Sequence, residues 1–178
     1  MKLEDIEEIL FDEQAIKEKV RELAASIAKD YAGKELVLVC ILKGAAVFTA
    51  DLMRHLSMKV TIEYIQAASY GSSTISSRAI IIKKDLESDI RGKDVLLVDT
   101  IIDTGATLER LFSLLRERGP ASLNAVVLLD KKSRRASGVR FAYRGFEIAD
   151  RFVVGYGMDF GEKYRNLPYI AALRSDAK

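Results

Sequence analysis

Residues 95–108 read VLLVDTIIDTGATL: four apolar residues, an acid, a threonine, two more apolar residues, then Asp103-Thr104-Gly105-Ala106-Thr107. The leading run suits a buried strand, and Leu108, Leu111, Leu114 and Leu115 give the following stretch a helical period. A turn between such a strand and helix offers free backbone N–H groups. Gly105 lets a ligand approach the backbone closely, and the hydroxyls of Thr104 and Thr107 add donors, so the turn suits a phosphate. The same residues would also serve a simpler purpose, with Asp103 or Thr104 capping the helix.

Few other chemistries are open to the chain. Its 178 residues hold one cysteine, Cys40, and one histidine, His55. That excludes an internal disulfide, a zinc site of four cysteines or of paired cysteines and histidines, and an HExxH protease. Cys40 lies in an apolar run and reads as an inert core residue; His55 beside Arg54 reads as structural or exposed. Twenty-eight Lys+Arg against 26 Asp+Glu leave a net charge of +2, too little to advertise a nucleic-acid or membrane partner. Carboxylates, hydroxyls, lysines, arginines and backbone amides must carry the chemistry.

The elements that position these groups are legible in the periodicities. Ile16, Val20, Leu23, Ala24, Ile27 and Tyr31 predict an amphipathic helix between Asp12, its N-cap, and Gly33. LVLVCIL at Leu36–Leu42 predicts a strand buried on both faces, ended by Lys43-Gly44. A helix over 45–56 and strands over 59–69, 78–84, 93–99, 123–130 and 152–157 follow, with a helix over 104–118 stopped at Gly119-Pro120. Residues 70–77, YGSSTISS, lack an apolar face and read as an exposed loop. Alternating strands and helices predict an α/β domain with a mainly parallel twisted sheet flanked by helices. Ligands in such sheets bind at the carboxyl ends of strands, here after Leu42, Val98, Leu129 and Val154. No internal linker divides residues 1–178, which read as a single domain.

The stretch 95–108 resembles the phosphoribosyl-pyrophosphate motif of the type I phosphoribosyltransferases. LKGA at Leu42–Ala45, SYG at Ser69–Gly71 and FEIADRFVVGYGMDF at Phe146–Phe160 follow the pattern of the hypoxanthine-guanine branch of that family. Four motifs in order are far more specific than one. The resemblance implies the type I fold, with a small C-terminal base-binding hood and a mobile loop. It also implies magnesium-dependent transfer of phosphoribose from 5-phosphoribosyl pyrophosphate to hypoxanthine, guanine or xanthine. Asp103, Thr104, Gly105, Ala106 and Thr107 would hold the 5-phosphate, with Asp103 also the general base for the purine. Asp99 would accept ribose hydroxyls and orient Mg2+, aided by Asp159 near a second metal; a hydroxyl from Thr100 would bond the ribose. Lys43-Gly44, often after a cis peptide, and Arg165 would meet pyrophosphate. Lys131 would donate to the purine 6-oxo group, Phe152 would stack on the ring, and Val153 and Asp159 would line its edge. Ser69, Tyr70 and Gly71 would form the base of a closing lid.

One position departs from the pattern. The family places two adjacent acids where this chain has Asp99-Thr100, which predicts weaker binding of the donor's magnesium complex with the reaction type unchanged. The missing acid keeps open a rival reading, a nucleotide-sensing regulator of this fold that binds RNA through the basic turn Lys131, Lys132, Arg134 and Arg135. The acidic start MKLEDIEEIL is no secretory leader, and no apolar run reaches the ~20 residues of a membrane span. A cytoplasmic protein is expected, assembled as a homodimer or homotetramer as the resemblance implies.

Overall fold

The computed structural model describes residues 4–69, 80–136 and 138–174. Asp12 caps the helix α1 (Glu13–Asp30) by accepting the amide of Ala15 at 2.8 Å, and the predicted stripe from Ile16 to Ile27 is buried. The strand β2 (Leu36–Leu42) keeps its predicted bounds and lies between β3 (Val60–Ser69) and β5 (Asp94–Ile102), parallel to both. The helix α2 (Ala46–His55) makes the crossover from β2 to β3. The strand β4 (Ile80–Lys84) adds antiparallel to β3. On the other side, β6 (Ser122–Asp130) and β7 (Tyr143–Glu147) extend the sheet in parallel, giving the order β4-β3-β2-β5-β6-β7.

This sheet is apolar on both faces because helices cover both. Leu36, Leu38, Leu96, Val98 and Val126 pack with residues of α1 and α2, while Val37, Val39, Val95, Leu97 and Val127 pack with the helix α3 (Ala106–Arg116). Alternation along each strand therefore divides the core in two. Among the described residues no helix is long and apolar enough to cross a membrane.

The structure corrects several boundaries. The strand expected over 93–99 runs on to Ile102 as β5, because Ile101 and Ile102 still pair with Leu129 and Asp130 of β6, so Asp99 stands inside the strand and not at its end. The strand expected over 152–157 shrinks to β8 (Val153–Val154), since Gly155 and Gly157 take positive φ and turn the chain. Three strands had no readable signal: β7, the acid-laden β1 (Ile6–Phe11) and the four-residue β9 (Ile170–Leu173). β1 and β8 both pair antiparallel with β9 in a second, three-stranded sheet. Of the proposed lid, Ser69 ends β3, whereas Tyr70, Gly71 and the rest of the loop lie outside the described residues.

Candidate functional site

Two chain reversals converge at the carboxyl ends of β2 and β5. After β2 comes a cis peptide between Leu42 and Lys43, then Gly44. After β5 comes the turn 103–105, in which Gly105 takes φ +85, a conformation that disfavours any side chain, and caps α3 without a side-chain hydrogen bond. Neither Asp103 nor Thr104 caps the helix in the ordinary way; the Thr104 hydroxyl meets only the Ala106 amide, at 3.4 Å. A cavity of about 240 Å³ opens onto it, lined by Leu42, Gly44, Asp99, Ile101, Ile102 and the whole run Asp103–Leu108.

Asp99 contributes a carboxylate to this cavity. Desolvation pushes its pKa up to about 6, although it accepts hydrogen bonds from the amides of Thr100, at 2.8 Å, and Ile101. It has no ion-pair partner among the described residues. Thr100 is turned away: it is 1% exposed, lines neither this cavity nor its neighbour, and its hydroxyl has no hydrogen-bond partner among the described residues. Of the expected donor-site residues, Gly44, Asp99 and Asp103–Thr107 line this opening, whereas Thr100 does not and Lys43 and Arg165 line the neighbouring cavity.

A second cavity of about 350 Å³ shares Gly44, Ile101 and Asp103 with the first and adds Lys43, Lys131, Phe152, Val153, Met158, Asp159 and Arg165. Lys131 directly follows β6, and its amide is fixed to the Ile102 carbonyl at 3.0 Å. Its side chain is 9% exposed and its ammonium lies 3.5 Å from Asp150. Phe152 keeps 37% of its surface exposed and meets Phe160 edge-on, with ring centroids 5.5 Å apart, leaving an aromatic ring presented at the opening. All four residues expected at the purine line this one cavity.

The far rim is charged. Arg165 donates to the Gly157 carbonyl at 2.8 Å and pairs with Asp159 at 2.8 Å and Glu162 at 3.2 Å; Lys43 reaches the same Glu162 oxygen at 3.0 Å. The two cations expected at pyrophosphate therefore meet on one carboxylate, whose pKa they hold below its usual range. Among the described residues no three His, Cys, Asp or Glu side chains gather into a metal cage.

Three site residues escaped sequence reasoning: Arg134, Asp150 and Glu162. Arg134 donates to Asp103 at 3.0 Å and lies 3.5 Å from Asp150. Nothing in the basic turn announces this, because the partners of an ion pair are chosen by tertiary folding. The rival reading of that turn as an RNA contact finds no support. Arg135 of the turn binds the fully buried Asp130, which Arg144 of β7 also meets, and Lys131 and Arg134 pair with Asp150, so three of the turn's four cations are held by carboxylates of the same chain. Cys40 is buried, and desolvation pushes its thiol up, as an inert core residue requires. His55 accepts from Arg21 of α1 at 3.3 Å, a structural contact between helices.

Residues 7–161 match the family described as the phosphoribosyl transferase domain. The chain is 43% identical over 170 residues to the hypoxanthine-guanine phosphoribosyltransferase of Bacillus subtilis strain 168, covering 96% of this chain and 94% of that protein. It is 44% identical over 172 residues to the hypoxanthine-guanine phosphoribosyltransferase of Staphylococcus aureus strain Mu50, covering 97% and 96%. A crystal structure of a hypoxanthine phosphoribosyltransferase from Staphylococcus aureus superposes with a TM-score of 0.93 at 44% identity, over 97% of this chain and 94% of that one. The hypoxanthine phosphoribosyltransferase of Trypanosoma cruzi in complex with the product IMP superposes with a TM-score of 0.93 at 39% identity, over 100% of both chains.

Proposed function

Because this chain belongs to the phosphoribosyltransferase family, we infer that it is a purine-salvage enzyme, moving 5-phosphoribose from 5-phosphoribosyl pyrophosphate onto hypoxanthine or guanine. The fold is the type I fold of that family. The observation that carries the reading is the meeting of two cavities at Gly44, Ile101 and Asp103: one suited to an anion, the other bearing an exposed aromatic ring and a buried lysine.

In this reading the 5-phosphate sits on the amides and hydroxyls of Thr104, Gly105, Ala106 and Thr107, at the positive end of α3. Asp99 accepts the ribose hydroxyls. Pyrophosphate meets the Lys43-Gly44 backbone and Arg165, displacing Glu162 from both cations. The purine stacks on Phe152, its edge meets Val153 and Asp159, and Lys131 donates to the 6-oxo oxygen. Adenine presents an amino donor there and would leave Lys131 facing like against like. The C1′–O bond to pyrophosphate breaks as the N9–C1′ bond forms, and the proton on N7 passes to Asp103. Charge on the departing pyrophosphate is the term the site must stabilise most.

Asp99 fits a magnesium ion, being a desolvated carboxylate with no cationic partner among the described residues, and Asp159 is the second candidate. With no protein cage, most ligands would be donor oxygens and water. The ion would supply charge neutralisation at the leaving group. We further place the whole chain 1–178 in one domain, with the three-stranded sheet as the hood over the base, in a cytoplasmic homodimer or homotetramer.

The deciding experiment offers hypoxanthine, guanine, xanthine, adenine and uracil with the donor and magnesium, following nucleoside monophosphate by chromatography. Turnover of hypoxanthine and guanine with adenine and uracil inert is expected. A folded protein that binds nucleoside monophosphate yet forms none from any base would sink the reading.

A further inference from the structure

Arg134 and Asp150 have no role in the reaction as described, yet they join the two groups assigned to the purine's 6-oxo edge. Arg134 Nε donates to Asp103 Oδ1 at 3.0 Å, and its Nη1 lies 3.5 Å from Asp150 Oδ2. Lys131 Nζ lies 3.5 Å from Asp150 Oδ1. Four side chains of alternating charge form a continuous chain, and each contact uses a different oxygen. Asp150 commits both of its oxygens. Arg134 takes one oxygen of Asp103 and leaves Oδ2; Lys131 keeps two of its three N–H groups. What remains is one acceptor beside a set of donors, the complement of an N7–H next to a 6-oxo oxygen.

The backbone holds this arrangement in place. Lys131 N binds the Ile102 carbonyl at 3.0 Å and Ala136 N binds the Thr104 carbonyl at 3.2 Å, fastening the basic turn to the anion cradle at both ends. In the open site Arg134, Asp103 and Asp150 are each about half exposed, so these pairs contribute little to stability. A purine seated over them would exclude water and strengthen every one of the contacts.

We propose that Arg134 and Asp150 are positioning residues that set Asp103 and Lys131 as one unit, coupling removal of the N7 proton to recognition of the 6-oxo group. The proposal rests on the roles given above to Asp103 and Lys131. It is tested by steady-state kinetics of wild type, R134A, R134K, D150A and the double variant R134A/D150A with hypoxanthine and the donor, with thermal midpoints measured alongside.

The expected pattern is a kcat roughly tenfold lower in R134A and a hypoxanthine KM roughly tenfold higher in D150A, with the donor KM within about twofold in both. R134K recovers part of the loss. The double variant is no worse than the worse single one, as groups acting through each other require. Unchanged kcat and hypoxanthine KM in both single variants overturn the proposal, as do losses that multiply in the double variant. If R134A does not fold, R134K and D150N make the same comparison. Inactive wild type would remove the functional reading beneath the proposal, whereas active wild type with indifferent variants removes the proposal alone.

Discussion

Asp99 and Thr100 show how one strand treats two neighbours differently. The Asp99 carboxyl titrates at about 6 because burial raises it, so the folded state holds that proton more tightly than the unfolded chain. Raising the pH from about 4 to about 6 strips the proton and destabilises the fold, since the unfolded state has already lost it. Asp99→Asn is therefore expected to stabilise the protein by about 1–2 kcal/mol at pH 7.5 and by nothing at pH 4, while cutting turnover sharply. Urea unfolding at the two pH values checks this; an equal effect at both would contradict a desolvated charge. The Thr100 hydroxyl is sealed and unpaired, a state that costs free energy. Thr100→Val keeps the shape and removes the unmet hydroxyl, so a gain of about 1 kcal/mol in stability is expected, with the donor KM within about twofold. A large rise in that KM would return Thr100 to the ribose.

Elements carry the next level of organisation, and one buried acid ties three of them together. Glu63 of β3 accepts the amides of Glu87 at 2.9 Å and Ser88 at 3.1 Å, in the connection between β4 and β5. Burial pushes its pKa up, but the Ser88 hydroxyl, the two amides and Lys84 outweigh that and leave it below the usual range. A lowered carboxyl stabilises at neutral pH and loses its contribution as pH falls through its own titration. Glu63→Ala is expected to cost about 2 kcal/mol at pH 7, a penalty that shrinks in acid; a constant penalty would show that the charge is irrelevant. Elements also decide what was legible in advance. Leu36–Leu42 reads correctly because a strand buried on both faces is a continuous apolar run, and α1 because its stripe recurs with the helical period. β1 carries two adjacent acids among its six residues and β9 has four residues, so neither has a period to detect. Asp103–Thr107 was readable because its residues are contiguous. Arg134, Asp150 and Glu162 acquire their partners only when distant turns meet.

At the scale of the molecule, the turn that follows β8 of the smaller sheet meets the turn that follows β2 of the larger one, where Gly157 passes Gly44. Gly157 has φ +94, and a Cβ there would stand 2.2 Å from the Gly44 carbonyl oxygen. Its carbonyl also accepts from Arg165, so one residue spaces the two cations at the rim. Gly157→Ala must push these parts apart, and a stability loss of about 2 kcal/mol or more is expected together with a donor KM roughly tenfold higher. Calorimetry and kinetics together check it, and an unaltered KM would show that the rim tolerates displacement. The pairing of β1 with β9 reaches further still. A ribosome delivers Ile6–Phe11 early and Ile170–Leu173 late, so β1 emerges without the partner that completes its ladder. A nascent chain halted before Ile170 would already own the six-stranded sheet and the anion cradle, yet it would lack the strand that anchors β8 beside Phe152. Such a chain would carry an exposed strand edge, a surface open to pairing with other chains until β9 closes it.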